Sequence, residues 1–162
     1  MKLTLFSNLA NKKTAIALTV LAVFLLLIDR FLKILAINYF SNHSLAIFPW
    51  FKFFYVPNYN ISFSLPLSGP ILTITIFGLI LLLSTIFYKL LKKQNFNQAF
   101  LILFIILGAS SNLFDRLSFG HVIDYLYLQS LFVFNLADAM ICLATISLIV
   151  LEIKKDHLIK TN

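Results

Sequence analysis

Apolar and polar positions alternate along this chain on a long scale: four extended apolar runs are separated by shorter polar or aromatic stretches. The runs Thr14–Ile37, Leu67–Tyr88, Phe96–Phe114 and Leu131–Ile153 each approach or exceed the roughly 20 residues that a helix needs to cross a bilayer. The first follows Lys12 and Lys13 as a secretory leader does, yet it runs into Asp29-Arg30 with no small-residue cleavage pattern, which predicts a retained span. Between the first two runs lies an aromatic segment, Phe48, Trp50, Phe51, Phe53, Phe54 and Tyr55, broken by Pro49 and Pro57. It reads as two short strands, Phe51–Val56 and Ile61–Leu65, around a Pro57-Asn58-Tyr59-Asn60 turn. Rings of this kind favour the headgroup level, so a small β-element is expected on the outer membrane surface. No internal repeat is visible.

Composition strengthens this picture. Of 162 residues 60% are hydrophobic and 12% charged, and the mean hydropathy is +0.95, too few polar side chains to cover a water-soluble core. The expected fold is membrane all-α, four transmembrane helices with a small extracytoplasmic β-element, in a single domain over residues 1–162. Thirteen cations against six acids give a formal charge of +7, but the cations flank the apolar runs and form no basic face, which argues against nucleic acid. Lys2, Lys12 and Lys13, then Lys89, Lys92 and Lys93, then Lys154, Lys155 and Lys160 all fall on one side of a four-span chain. By the positive-inside rule that side is cytoplasmic, with both termini on it. The single cysteine, Cys142, excludes an internal disulfide framework and a cysteine-based zinc site; it sits in an apolar run and reads as packing.

Four of the six acids are out of place in such a chain. Asp29 lies sixteen residues beyond Lys13 and Asp138 sixteen before Lys154, which puts both about 24 Å from the cytoplasmic boundary. Asn112 lies about 28 Å up the third span, with Asp115, Arg116 and Asp124 expected at or just beyond the outer interface. Burying a carboxylate at such depth costs roughly 2.5–3.5 kcal/mol, so each acid calls for a partner or a function. Asp29 with Lys33, Asn112 with Arg116, and Asn135 with Asp138 have helical spacing. Asp29–Lys33 and Asp115–Arg116 are candidate ion pairs that only tie helices together, whereas Asp124 and Asp138 have no adjacent cation in sequence.

Two neighbouring carboxyls cannot both ionise easily; one holds a proton while the other acts as base, which is the chemistry of aspartic-type peptide hydrolysis. Ser110, Ser111 and Ser118 have no evident Lys or His base at membrane depth. His121, three residues before Asp124, could join the aspartates in a metal site, but His43 and His157 lie far from the cluster, and no metal or cofactor is expected. A proton-coupled transporter would use Asp29, Asp124 and Asp138 as a relay, but such proteins commonly carry repeated halves. A scaffold protein would explain the spans and leave the costly acids unexplained.

At these residues the sequence resembles the lipoprotein signal peptidase family, the bacterial signal peptidase II. Asp29-Arg30-Phe31-Leu32-Lys33 resembles its D-x-x-x-K, Asn58-Tyr59-Asn60-Ile61-Ser62-Phe63 its N-x-G-x-[AS]-F, and Gly108 to Arg116 its G-x-x-G-N-x-x-D-R. Gly120-His121-Val122-Ile123-Asp124 resembles G-x-V-x-D, and Phe134-Asn135-Leu136-Ala137-Asp138 fits F-N-x-A-D. The resemblance implies that Asp124 and Asp138 are catalytic and that Asp29, Lys33, Asn58, Asn112, Arg116 and Asn135 line or brace the pocket. It implies an intramembrane aspartic endopeptidase of the bacterial cytoplasmic membrane, its site at the extracytoplasmic face, with a small β-cradle beside four helices. Its expected partners are membrane lipid and diacylglyceryl-modified prolipoproteins, cut before the lipidated cysteine, and a monomer is expected. Asn60 and Ser111 stand where the family pattern has glycine. Asn tolerates positive φ better than Ser, so a shifted backbone is expected at Ser111.

Overall fold

The structure, a computed structural model, describes residues 2–61, 65–129 and 132–160. Four helices dominate: α1 (Lys2–Tyr39), α2 (Gly69–Lys92), α3 (Phe96–Phe119) and α4 (Leu136–Lys160). Their apolar portions, Thr14–Tyr39, Gly69–Lys92, Phe96–Phe119 and Leu136–Lys154, are long enough to cross a membrane. Side chains such as Val20, Phe24, Leu27, Ile71, Ile74, Leu82, Leu143 and Ile146 stand on their outer surfaces. So much exposed hydrocarbon is stable only in contact with lipid.

The helix ends follow local chemistry. Gly69, at φ +69°, turns the chain into α2, and Pro70 supplies a residue that needs no N–H partner in the first turn. Lys89 and Lys92 oppose the dipole in the last turn of α2. Asn95 caps α3 by accepting from Gln98 N, and Gly120, left-handed at φ 76°, closes it with a bond from its N–H to Arg116 O.

Strands connect the helices on one side. Strands β1 (Leu45–Phe48), β2 (Phe51–Asn58), β5 (Val122–Leu128) and β6 (Phe132–Phe134) form an antiparallel sheet in the order β1-β2-β5-β6, and β3 (Asn60–Ile61) pairs with β4 (Leu65–Ser68). Ala36 of α1 packs with Phe53, Ile123 and Tyr125 in a buried cluster that fixes the sheet to the end of the first helix.

Four sequence expectations change. The strand Phe51–Val56 does not pair with Ile61–Leu65; it extends to Asn58 and pairs with β1 and β5, while residues 62–64 lie outside the described residues. Asp115 and Arg116 belong to α3, because the helix continues for a turn past its last apolar run until Gly120 stops it. The fourth span begins at Leu136 and not at Leu131, since Phe132–Phe134 is spent as a strand on β5; Leu131 itself lies outside the described residues. The second begins at Gly69 and not at Leu67, which belongs to β4.

Helix α3 is the central helix, packed against α1, α2 and α4. Its approach to α4 depends on Gly108, where an added Cβ would meet Ala137 O at 2.7 Å and Ile141 Cγ1 at 2.9 Å. Because one of these is backbone, Gly108→Ala is expected to lower stability by about 1–3 kcal/mol, read as a lower melting temperature of the purified protein in detergent. An unchanged melting temperature would mean that α3 and α4 do not pack this closely.

Candidate active site

Among the described residues the buried polar ones are Asp29, Lys33, Ser111, Asn112, Asp115, Asp124 and Asn135, drawn from α1, α3, β5 and the entry to α4. They form two connected groups.

The first is an ion cluster. Lys33 Nζ lies 3.0 Å from Asp29 Oδ2 and 2.7 Å from Asp115 Oδ2, with all three side chains fully buried. Arg30 donates to Asp115 Oδ1 and rests its guanidinium on the Phe114 ring. Two acids thus face two cations, and the remaining carboxylate capacity is used to hold backbone. Asp29 Oδ1 accepts from Ala137 N at 3.1 Å and from the Tyr125 hydroxyl at 2.9 Å, and that hydroxyl accepts from Leu136 N at 3.0 Å. Asp115 Oδ2 accepts from Ile123 N at 3.3 Å. The acid on α1 therefore holds the start of α4, and the acid on α3 holds the start of β5.

Those two elements carry Asp138 and Asp124. Asn135 precedes α4 as its cap: its Oδ1 accepts from Asp138 N at 2.8 Å while Asp138 Oδ2 accepts from Asn135 N at 3.3 Å, a reciprocal capping box. The Asn135 amide nitrogen donates to Asp124 Oδ1 at 2.7 Å, so one residue touches both aspartates. Asn112 donates to Asp138 Oδ1 at 2.8 Å, and Asn58 donates to Asp124 Oδ2 at 2.8 Å across the β2–β5 pair. The groups meet at Asn112, whose Oδ1 accepts from Lys33 Nζ at 2.9 Å.

Burial, and after it the charge of Asp138, raises the Asp124 carboxyl from its ordinary 3.8 to about 7, against the lowering effect of its bonds from Asn58 and Asn135. Between those values the folded protein keeps a proton that the unfolded chain has lost, so Asp124 makes stability fall as pH rises through that window. Burial also pushes the Tyr125 hydroxyl up, leaving it a neutral donor.

All eight residues expected at the site are described, and the structure corrects how some are paired. Asp115 pairs with Lys33 and Arg30 and not with Arg116, because α3 points these neighbours in different directions. Arg116 is half-buried, donates to Tyr59 O at 3.3 Å, and lies within electrostatic reach of Asp124 and Asp138. Asn135 and Asp138 meet as a capping box and not across a helix face. Ser111 is helical and undistorted, since Gln94 is the single non-glycine residue with positive φ among those described; Asn60 is accordingly in extended backbone. The expectation that Ser111 lacks a nearby lysine fails: its Oγ is 3.2 Å from Lys33 Nζ. That lysine is held between two carboxylates, and the Ser111 proton goes to Asp29 Oδ2 at 2.6 Å, so the pair is structural.

Arg30, Ser111 and Tyr125 are the participants that sequence reasoning missed. His121 pairs with the Tyr55 hydroxyl at 2.7 Å. Among the described residues no three His, Cys, Asp or Glu side chains are grouped to hold a metal. A surface cleft of about 540 Å³ that includes His43, Lys52 and Tyr127 shares no residue with the site.

Comparison with known proteins bears on the family and the fold. Residues 21–154 match the family model described as signal peptidase (SPase) II. The chain is 34% identical over 133 residues to a lipoprotein signal peptidase of Chlorobaculum parvum, covering 72% of this chain and 82% of that one. It is 33% identical to that of Bartonella bacilliformis, covering 90% and 100%. Two solved bacterial membrane enzyme structures, obtained by the in meso method at 2.3 and 1.9 Å, superpose with TM-scores of 0.74 and 0.70 at 22% and 21% identity. The first covers 89% of this chain and 90% of its own, the second 88% and 94%, which establishes a shared fold.

The bridging hydroxyl offers a direct test of the site's bracing. Tyr125→Phe removes one donor from Asp29 and leaves Leu136 N without its acceptor, so a loss of about 1–3 kcal/mol is expected in thermal or denaturant unfolding. A variant as stable as the parent would show that α4 is not held through this contact.

Proposed function

This chain belongs to the signal peptidase II family, whose members remove signal peptides from prolipoproteins, and we propose that it does so as an aspartic-type intramembrane endopeptidase with Asp124 and Asp138 as its catalytic pair. The observation that carries this reading is the contact of Asn135 with both carboxyls, which ties them to one polar centre. One carboxyl holds a proton for the scissile carbonyl oxygen while the other takes a proton from the attacking water. Asp124, half protonated near neutral pH, suits a shared-proton pair.

The substrate follows from where such a pair would work. A precursor whose diacylglyceryl group stays among the lipid tails brings the peptide bond before its modified cysteine to the ends of α3 and α4, where the sheet adjoins the helices. Asn58, Asn112, Asn135 and Arg116 supply polar contacts there, with Asp29 and Lys33 as braces beneath. The cation distribution supports a site at the extracytoplasmic face of the cytoplasmic membrane, both termini being cytoplasmic. The protein works without a metal or cofactor, as a single domain and a monomer.

Asp124→Asn and Asp138→Asn are each expected to lower cleavage of a lipidated precursor in detergent by about 10²–10⁴-fold while the protein stays folded and inserted. Chelators are expected to have no effect. Near wild-type cleavage by either variant, or loss on chelation with recovery on adding zinc, would sink the mechanism. For the topology, reporters fused after Asn162 or within Lys89–Asn97 are expected to read cytoplasmic, and one near Asn42 external. An external C-terminus would reverse the face on which the site opens.

A further inference from the structure

A second polar feature lies outside the candidate active site, at the end of the first membrane span. The apolar portion of α1 ends at Tyr39, and the cleft of about 540 Å³ opens directly after it, lined by the link 41–44 and by side chains of β2 and β5. Both ends of that link are fixed to β2: Phe40 O accepts from Tyr55 N at 3.1 Å, and Leu45 is paired with Phe53. The walls are therefore part of the fold, and the volume lies in the range of small-molecule sites. Because the span ends here, the cleft stands at the level of lipid headgroups. Tyr39, Phe48 and Trp50, all exposed, are the aromatic residues expected at that level.

The charge of this cleft is one-sided. Lys52 lines it, is half-buried, and is the single lysine or arginine in residues 40–68 and 120–135. The single acid in those stretches is Asp124, whose two oxygens accept from Asn58 and Asn135. Among the described residues Lys52 makes no ion pair, and no acid lines the cleft. Ser41, Asn42, His43 and Ser44 add neutral hydrogen-bonding groups. Phe40, Phe54 and Tyr127 add an apolar wall, the last two with their rings 5.6 Å apart.

We propose that this cleft binds the headgroup of one anionic phospholipid, a phosphodiester carrying a hydroxylated alcohol, and so holds the sheet to the membrane surface. One fixed positive charge matches the single negative charge of a phosphodiester, and the hydroxyl and amide groups of the link match an alcohol headgroup. A choline or ethanolamine headgroup would bring a second cation beside Lys52, with no acid there to receive it. The apolar wall suits the glycerol ester region of a lipid, for which a free phosphate ion has no counterpart. Since the cleft shares no residue with the candidate active site, its occupation is separable from cleavage.

The test uses the full chain in a neutral maltoside detergent, with binding of dioleoylphosphatidylglycerol, dioleoylphosphatidylcholine and inorganic phosphate read by native mass spectrometry. The parent protein is expected to hold one phosphatidylglycerol about fivefold more tightly than phosphatidylcholine, the worth of one cation at a membrane surface. Lys52→Gln is expected to remove that preference. Lys93→Gln, between α2 and α3, is expected to keep it, which separates this cleft from the other lysines. Ser44→Phe, which places a ring in the cleft from the exposed link, is expected to weaken phosphatidylglycerol by a similar factor and decides the matter if Lys52→Gln does not fold. Lys52→Gln and Ser44→Phe are expected to cleave a lipidated precursor in detergent at the parent rate; loss of cleavage would make Lys52 a substrate contact and overturn the proposal. Equal binding of the two lipids, a preference kept by Lys52→Gln or lost by Lys93→Gln, or displacement of the lipid by phosphate at equal concentration would overturn it too.

Discussion

The buried contact of Lys33 with Asp29 and Asp115 is the constraint on which the rest of the polar interior depends. An ammonium withdrawn from water is stable only when oxygens replace its hydration shell, and here four do so: two carboxylates, the Ser111 hydroxyl and the Asn112 amide. Each carboxylate has a second oxygen or a second lone pair to spare, and these bind the first N–H groups of α4 and β5. The same cluster joins α1 to α3 and sets the two elements that bear Asp124 and Asp138. Removing one partner would leave an uncompensated charge inside a low-dielectric bundle, and removing either acid would also release the backbone segment it holds.

How far this was legible in the sequence depended on distance along the chain. Asp29 and Lys33 are four residues apart, and helix geometry alone brings them together. The partners of Asp115 are Lys33 and Arg30, more than eighty residues away, and local spacing pointed instead to the adjacent Arg116. The strands show the same division. Phe51–Asn58 was recognisable by its aromatic content, but its central partner Val122–Leu128 lies beyond two complete helices, so the nearer segment was paired with it in error. The end of α3 was placed too early because the apolar run stops at Phe114, while the physical stop signal is the left-handed Gly120. Ser111 stands out in the sequence only as a serine without a base and a departure from the family glycine; its bracing role shows only when the lysine and aspartate of another helix surround it.

The membrane shapes the division of labour among the helices. Helix α2 buries little more than Leu72 and presents apolar side chains on nearly all sides, whereas α3 buries Ser111, Asn112 and Asp115 along one face. Hydrocarbon cannot satisfy polar atoms, so the helix that carries them has to be surrounded by protein. Gly108 serves that need by letting α4 approach closely, at the backbone of the residue before Asp138.

Between the ion cluster and the two aspartates stand asparagines, not further charged groups, and the reason is physical. A carboxamide has a donor end and an acceptor end but no net charge, so it passes on a direction without adding a charge to a site where charges are expensive. Lys33 turns Asn112, and Asn112 turns its NH2 to Asp138; the capping bond turns Asn135, and Asn135 turns its NH2 to Asp124. An aspartate at either position would take a proton itself or repel the neighbouring carboxylates. Two amides thus carry fixed directions, one from a buried ion cluster and one from a helix cap, to the two carboxyls beside them.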